Sequence, residues 1–155
     1  MKVVVLNILI PYEFEVTIIA ERGFKSIDLF KFIDETLKWK YCIRCTKDMR
    51  ISIAGKRKIK KLDDITPRKG FTKYFYNIKL TAQEYVCNMA VWTAEDSEDV
   101  WFIDNNISEP YAIREYKKRF NIEEMFRDFK SGGFNLEDTW AMIFNILKCC
   151  IFVFV

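Results

Sequence analysis

The sequence predicts an α/β fold that carries a β-rich insertion, and three observations support this prediction. A β-branched, apolar run at residues 16–20 predicts a buried strand, and apolar residues at helical spacing follow it over residues 26–37. A second short strand is predicted at residues 41–45, and strand–helix–strand is typical of a parallel α/β unit. Between residues 46 and 103, short apolar stretches alternate with polar turns, which indicates antiparallel strands.

The first predicted helix begins after Ser26, because a serine hydroxyl is a suitable N-cap. The apolar residues that follow keep the spacing of one helix face, and they are Ile27, Phe30, Ile33 and Leu37. In the middle of the chain, the predicted strands cover residues 51–53, 74–80, 85–92 and 100–103.

The second predicted helix runs from Pro110 to Lys130. Proline suits the first helical turn, and the glycines at 132 and 133 end the helix. Asn121 followed by Glu124 resembles a second N-cap with its capping box. A helix that kinks or restarts near Asn121 is therefore an alternative to one continuous helix.

The length predicts a single domain, which we divide into four segments. These are a strand–helix–strand core at residues 1–45, a β-rich insertion at 46–106, a helical region at 107–139 and an apolar tail at 140–155. The tail is shorter than the roughly 20 residues of a membrane span and contains Asn145 and Lys148, so we expect a core helix or strand there. No secretory signal is recognisable, so the expected location is the cytoplasm, without a membrane partner.

The cysteines and the charge distribution limit the classes of function. Five cysteines, an odd number, argue against a secreted disulfide framework. Cys42 and Cys45 form a CxxC, but a second CxxC and a histidine are absent from the sequence, so both are predicted to be small strand residues. The basic run from Lys56 to Lys61 is either a solvated loop or edge strand, or a source of nonspecific affinity for a DNA backbone.

One stripe of the second predicted helix combines a carboxylate with cations. At 100° per residue, Tyr116, Arg119, Arg127 and Lys130 fall within about 40° of Glu123. Such a stripe suits a phosphoryl-transfer site, in which the acid holds a metal ion and the cations bind DNA phosphates. The alternative is an exposed helix face with ion pairs at i,i+4 and i,i+7.

The spacing of this stripe carries a resemblance to a known family. Tyr116, Arg119, Glu123 and Lys130 follow the pattern Y-x2-R-x3-E-x6-K, which resembles the Y-R-E-K signature of the IS-four family of bacterial insertion-sequence transposases. The flanking residues up to Glu137 are also similar to that family's sequence.

Two further segments resemble the same family. Residues 16–24 look like the strand that ends in Ala-Asp-Arg-Gly-Phe, and residues 101–106 look like the strand before the signature helix. The resemblance covers about residues 9–137, in the family's order. It implies an RNase H-like (retroviral integrase-like) core, incomplete at its N-terminus, with a β-rich insertion between the second and third catalytic acids.

The resemblance also implies roles for individual residues. Glu21 and Glu123 match the second and third acids, which in this family hold two Mg²⁺ ions for DNA cleavage and strand transfer. Tyr116, Arg119 and Lys130 would contact phosphates of double-stranded DNA at the transposon ends, and Arg127 lies in the same stripe.

Two departures from the family pattern lead us to expect an inactive transposase fragment. Glu21 stands where the family has Asp, and the first catalytic Asp would lie upstream of Met1. The alternatives are an active transposase, a non-catalytic remnant that binds DNA, itself or a full-length transposase, and an α/β module unrelated to mobile DNA.

Overall fold

One eight-stranded sheet forms the framework of the chain. The computed structural model describes residues 15–53, 59–80, 84–96, 98–131 and 151–154, and for residues 122, 123, 125–131 and 151–154 it describes the backbone alone. The strands are β1 (Thr17–Ala20), β2 (Lys40–Cys45), β3 (Arg50–Ser52), β4 (Ile59–Lys61), β5 (Thr72–Leu80), β6 (Tyr85–Thr93), β7 (Val100–Asn105) and β8 (Ile151–Phe154). Their order in the sheet is β4-β3-β5-β6-β7-β2-β1-β8.

The pairing of the strands defines a mixed α/β fold with a mostly antiparallel sheet. Strands β1 and β2 pair in parallel, as the strand–helix–strand prediction requires. The other paired strands of the described chain are antiparallel, which confirms the prediction for the middle of the chain. Strand β7 returns to pair with β2, with Cys42 opposite Asn105, so the first unit and the middle segment share one sheet.

The connection between β1 and β2 contains the first predicted helix. A 3₁₀ turn (Arg22–Phe24) precedes α1 (Ile27–Lys31), which continues as wider π-helical turns (Phe32–Leu37). Ser26 occupies the N-cap position in an extended conformation, but its side chain makes no capping hydrogen bond. The helix ends at Lys38, whose φ of 57° is left-handed and turns the chain into β2.

The second predicted helix is continuous. Helix α2 (Ala112–Ser131) begins two residues after Pro110, and Asn121 lies in its interior. The helix therefore does not restart near Asn121. Among the residues whose structure is described, no helix is both long and apolar enough to span a bilayer.

The sheet has two buried faces, named here after the helix that covers each. On the α1 face, Ile18 and Ala20 of β1 pack with Phe30 and Ile33 in the main hydrophobic core. On the α2 face, Ile19 packs in a second cluster, together with α2 residues. Because strand side chains alternate between faces, the register fixes which side chains lie beneath α2.

Cys42 and Cys45 are buried strand residues, as predicted. They lie on opposite faces of β2, Cys42 on the α2 face and Cys45 on the α1 face, so they do not form a chelating or redox pair. Burial raises the pKa of both thiols above its ordinary value, which keeps them protonated.

Candidate functional site

Glu21 lies at the point where β1 ends. Its backbone is still extended (φ −78°, ψ 166°), so its side chain follows Ile19 onto the α2 face. The next turn closes when the amide of Phe24 donates to the Glu21 carbonyl at 2.9 Å. Phe24 then packs against the core on the α1 face. The chain reversal therefore fixes the Glu21 carboxylate at the carboxyl end of β1, beneath α2.

Three of the predicted site residues meet at this carboxylate. The Tyr116 hydroxyl donates to Glu21 Oε1 at 2.7 Å, and Arg119 Nη2 lies 3.0 Å from the same oxygen. These two residues are one turn apart on α2, and both face the sheet. The ring of Tyr116 is fully buried, and Arg119 is only 8% exposed. The sequence places these residues far apart, and the fold brings them together.

The protonation state of Tyr116 and the charge of Arg119 both favour the contact with the Glu21 carboxylate. Burial, followed by the hydrogen bond and the charge of Glu21, raises the pKa of Tyr116 well above its ordinary value, so the phenol stays a donor. The guanidinium of Arg119 supplies the opposite charge beside the carboxylate and also lies over the ring of Phe120, 4.7 Å from its centroid. In this arrangement Arg119 is a partner of Glu21, and its predicted contact with a DNA phosphate stays a prediction.

The remaining predicted site residues lie on the following turns of α2. Glu123, Arg127 and Lys130 belong to this helix, but their side chains lie outside the described part of the structure. Their predicted roles stay predictions. In the basic run, residues 56–58 also lie outside the described residues, whereas Lys60 and Lys61 belong to β4.

A comparison with protein families identifies the class of domain. The family described as transposase DDE domain matches residues 2–142. The chain belongs to this family. Membership implies a function in DNA transposition, with DNA as the partner. Neither a protein of curated function nor a solved structure matches the chain.

Transposase DDE domains usually use divalent metal ions, so the donor set in this domain can be tested for its fit. A divalent ion requires several converging carboxylate oxygens, and in the described residues no group of three or more acidic, cysteine or histidine side chains converges. Glu21 Oε1 already accepts from Tyr116 and Arg119, and a guanidinium competes with a cation for the same oxygen. The described donor set therefore does not fit a divalent ion.

Aromatic contacts that the sequence did not predict hold α2 of the transposase domain in place. The ring of Trp101 packs against the rings of Tyr116 and Phe120, at centroid distances of 5.3 and 5.4 Å. Its indole nitrogen donates to Asp99 Oδ2 at 2.6 Å, while Arg44 donates to Asp99 Oδ1 at 2.6 Å. Trp101 was singled out only as part of a resemblance, and Arg44 and Asp99 carry no sequence signal.

A fully buried carboxylate lies on the opposite face of the sheet of the transposase domain. Asp104 of β7 is fully buried and accepts from the Tyr41 hydroxyl at 2.9 Å and from the Cys87 thiol at 3.5 Å. Burial raises its pKa to about 7, and the two hydrogen bonds act in the opposite direction. The hydroxyl of Tyr85 lies 3.2 Å from that of Tyr41 and donates to Asp34, so the network reaches the π-helical turns that follow α1.

Proposed function

We propose that the chain functions in DNA transposition by binding double-stranded DNA at transposon ends, and that it does not cleave DNA on its own. The observation that carries this proposal is the contact of Tyr116 and Arg119 with Glu21. It brings two residues of the Y-R-E-K pattern on α2 to the residue that matches the second acid, and Arg119 already occupies one oxygen of that carboxylate.

The proposal includes membership of the IS-four group and an RNase H-like core. The Y and R positions of the resemblance, Tyr116 and Arg119, lie on the helix that crosses the end of β1, and they touch the residue that matches the second acid. The parallel pair of β1 and β2 around α1 supports the same assignment.

In the proposed interface, the residues of this chain bind and orient DNA without reading its sequence. Arg119 and Tyr116 hold the end of β1 against α2 through Glu21, which fixes the direction of the helix. Lys130 and Arg127 on later turns of α2 would contact phosphates, as predicted from the sequence. Because the described carboxylates do not fit Mg²⁺, we assign no cleavage step to the chain alone, and the predicted ligand role of Glu123 is left to experiment.

The test combines a binding assay with a cleavage assay. Purified protein is titrated into a labelled 30-bp duplex at several salt concentrations, and a supercoiled plasmid is incubated with protein and Mg²⁺ or Mn²⁺. We expect binding that weakens as salt rises, and no nicking. Nicking that is abolished by Glu123→Gln but kept by the neighbouring control Glu124→Gln would refute the non-catalytic proposal. Absence of binding at low salt would refute the DNA-binding proposal.

Self-association and binding to a full-length transposase remain predictions from the sequence. Sedimentation of the purified chain, alone and with an intact transposase of the same group, would distinguish these partners from DNA.

A further inference from the structure

Four neighbouring strands on one side of the sheet carry basic side chains and no acidic ones. Strands β3, β4, β5 and β6 contain no Asp or Glu. Over the whole chain, by contrast, 25 basic residues nearly balance 22 acidic ones. The cations of these strands are Arg50, Lys60, Lys61, Lys73 and Lys79. Asp48 and Asp64 lie beside Lys61, just outside these strands. The strands themselves carry only cations, so their surface attracts anions.

The strand register sorts these cations by face. Arg50 lies opposite Lys61, and Lys79 lies opposite Ser52, the residue two positions after Arg50. The intervening Ile51 is buried in the core on the α1 face. Arg50, Lys61 and Lys79 therefore point to the α2 face, and all three are exposed. We call these three residues the basic patch.

The basic patch shares its face with the Glu21 contact. Helix α2 packs on β1, β2, β6 and β7, and the basic patch lies beyond it on β3, β4 and β5. Six strand spacings separate β4 from β1, which is roughly 29 Å at about 4.8 Å per strand. At about 3.4 Å per phosphate of one strand, this distance corresponds to roughly 8 base pairs. A duplex lying across the strands can reach both places.

The basic patch combines like charges with exposed apolar side chains. Like charges directly opposite each other on neighbouring strands destabilise a sheet, and Arg50 and Lys61 are such a pair. Two exposed apolar residues adjoin them, Ile59 at 56% and Val86 at 48% exposure. A polyanion that covers the patch would offset the repulsion between the cations.

We infer that the basic patch is a second contact surface for the phosphate backbone of double-stranded DNA, roughly 8 base pairs from the DNA held near α2. This inference rests on the proposed function for its partner. The spacing sets a minimum length for the DNA: a duplex must reach from α2 to β4 before the basic patch contributes to affinity.

The experiment compares two variants that remove lysine or arginine charges from the same strands. The test variant is Arg50→Gln, Lys61→Gln and Lys79→Gln. The control variant is Lys60→Gln and Lys73→Gln, whose register partners Ile51 and Val91 belong to the α1-face core, so these side chains point away from the patch. Affinity for a 30-bp duplex and for a 6-bp hairpin duplex, which spans only about 20 Å, is measured against salt. Thermal melting checks that each variant is folded.

On the 30-bp duplex, we expect the test variant to reduce the slope of log affinity against log salt by about 2 to 3, at about 0.9 per lost phosphate contact. We expect the control variant to leave the slope unchanged, and the 6-bp duplex, which is too short to reach from α2 to β4, to show a smaller difference between the wild-type chain and the test variant. Equal slopes for the test variant and the wild-type chain would overturn the inference.

The proposed function can survive that outcome. Wild-type binding that is weakened by Lys130→Gln and not by the test variant would keep the proposed function and overturn the basic patch. A wild-type chain that does not bind DNA would overturn both. A test variant that loses binding to phosphatidylserine vesicles while it keeps DNA affinity would assign the patch to a membrane surface and overturn the inference.

Discussion

Glu21 shows how one methylene group changes the chemistry available to a position. The resemblance leads one to expect Asp there, and the longer Glu side chain meets the Tyr116 hydroxyl and the Arg119 guanidinium at one oxygen. With side chains 23% and 9% exposed, the Glu21–Arg119 ion pair is mostly removed from water. Removing the charge of one partner in this environment strongly lowers the free energy of unfolding, because the charge of the other partner is left buried.

We therefore predict strong coupling between Glu21 and Arg119. Glu21→Gln or Arg119→Gln should each lower the free energy of unfolding by about 3 kcal/mol, and the double variant by less than the sum. Urea denaturation at pH 7, followed by circular dichroism, measures the three values. If Glu21 instead repelled other carboxylates in a metal site, Glu21→Gln would raise the stability. Additive effects of the two substitutions would also contradict the prediction.

Asp104 is a titratable group that is unrelated to the site on α2. Its pKa of about 7 lies above the ordinary value of 3.8, because burial disfavours the charged carboxylate. The folded state therefore holds the proton more tightly than the unfolded state does. The resulting stabilisation is fully present below about pH 4, and it is lost as the pH rises through the pKa of about 7.

We predict that Asp104→Asn removes this part of the pH dependence. Between pH 4 and pH 8, the free energy of unfolding of the wild-type chain should fall relative to that of the variant by up to about 4 kcal/mol. Above pH 8 the variant should be the more stable of the two. Urea denaturation across this pH range gives the difference curve, and parallel curves for the two proteins would show that Asp104 does not titrate as described.

At the scale of elements, β8 is the neighbour of β1 on the side away from β2. It pairs antiparallel with β1, with Ile19 opposite Phe152, so β1 has a hydrogen-bonded neighbour on both sides. The sequence analysis expected a core helix or strand in the apolar tail, and the structure has a strand. An unpaired β1 would expose a row of backbone donors and acceptors directly beside Glu21.

We predict that Phe152→Pro weakens this edge of the sheet. Proline removes a backbone donor and locks φ near −65°, which interrupts the regular extended backbone of β8, so the amides of β1 that face β8 should exchange faster with deuterium. Hydrogen exchange followed by mass spectrometry or NMR measures this effect. The control Phe152→Ala keeps the backbone donor and should leave the exchange nearly unchanged. Unaltered exchange in Phe152→Pro would mean that β8 does not protect β1.

At the scale of the whole molecule, local patterns predicted the elements well. The β-branched run before Glu21 and the helical spacing from Ile27 to Leu37 depend on neighbouring residues only, so the sequence was sufficient to locate β1 and α1. The pairing of Tyr116 with Arg119 on one helix face was predictable for the same reason. The carboxylate partner was predictable only through the resemblance, which named Glu21.

Contacts between distant segments could not be predicted from these patterns. Asp99 and Arg44 form an ion pair because β7 pairs with β2, and nothing in their own surroundings in the sequence indicates it. Similarly, the burial of Asp104 depends on Tyr41 and Cys87 from two other strands. The predicted segment boundaries at residues 45 and 106 describe the chain order, whereas the sheet continues across both.

The pairing of Cys42 with Asn105 also governs how the chain can fold. The ladder between β2 and β7 lies near the centre of the sheet, yet its two strands are separated in sequence by the whole of β3 to β6. Such non-local pairing slows folding, because the loop between the strands must close before the ladder forms. During synthesis, the edge of β2 that pairs with β7 therefore stays unpaired until β7 has left the ribosome. In that interval the unpaired edge can bind chaperones or aggregate.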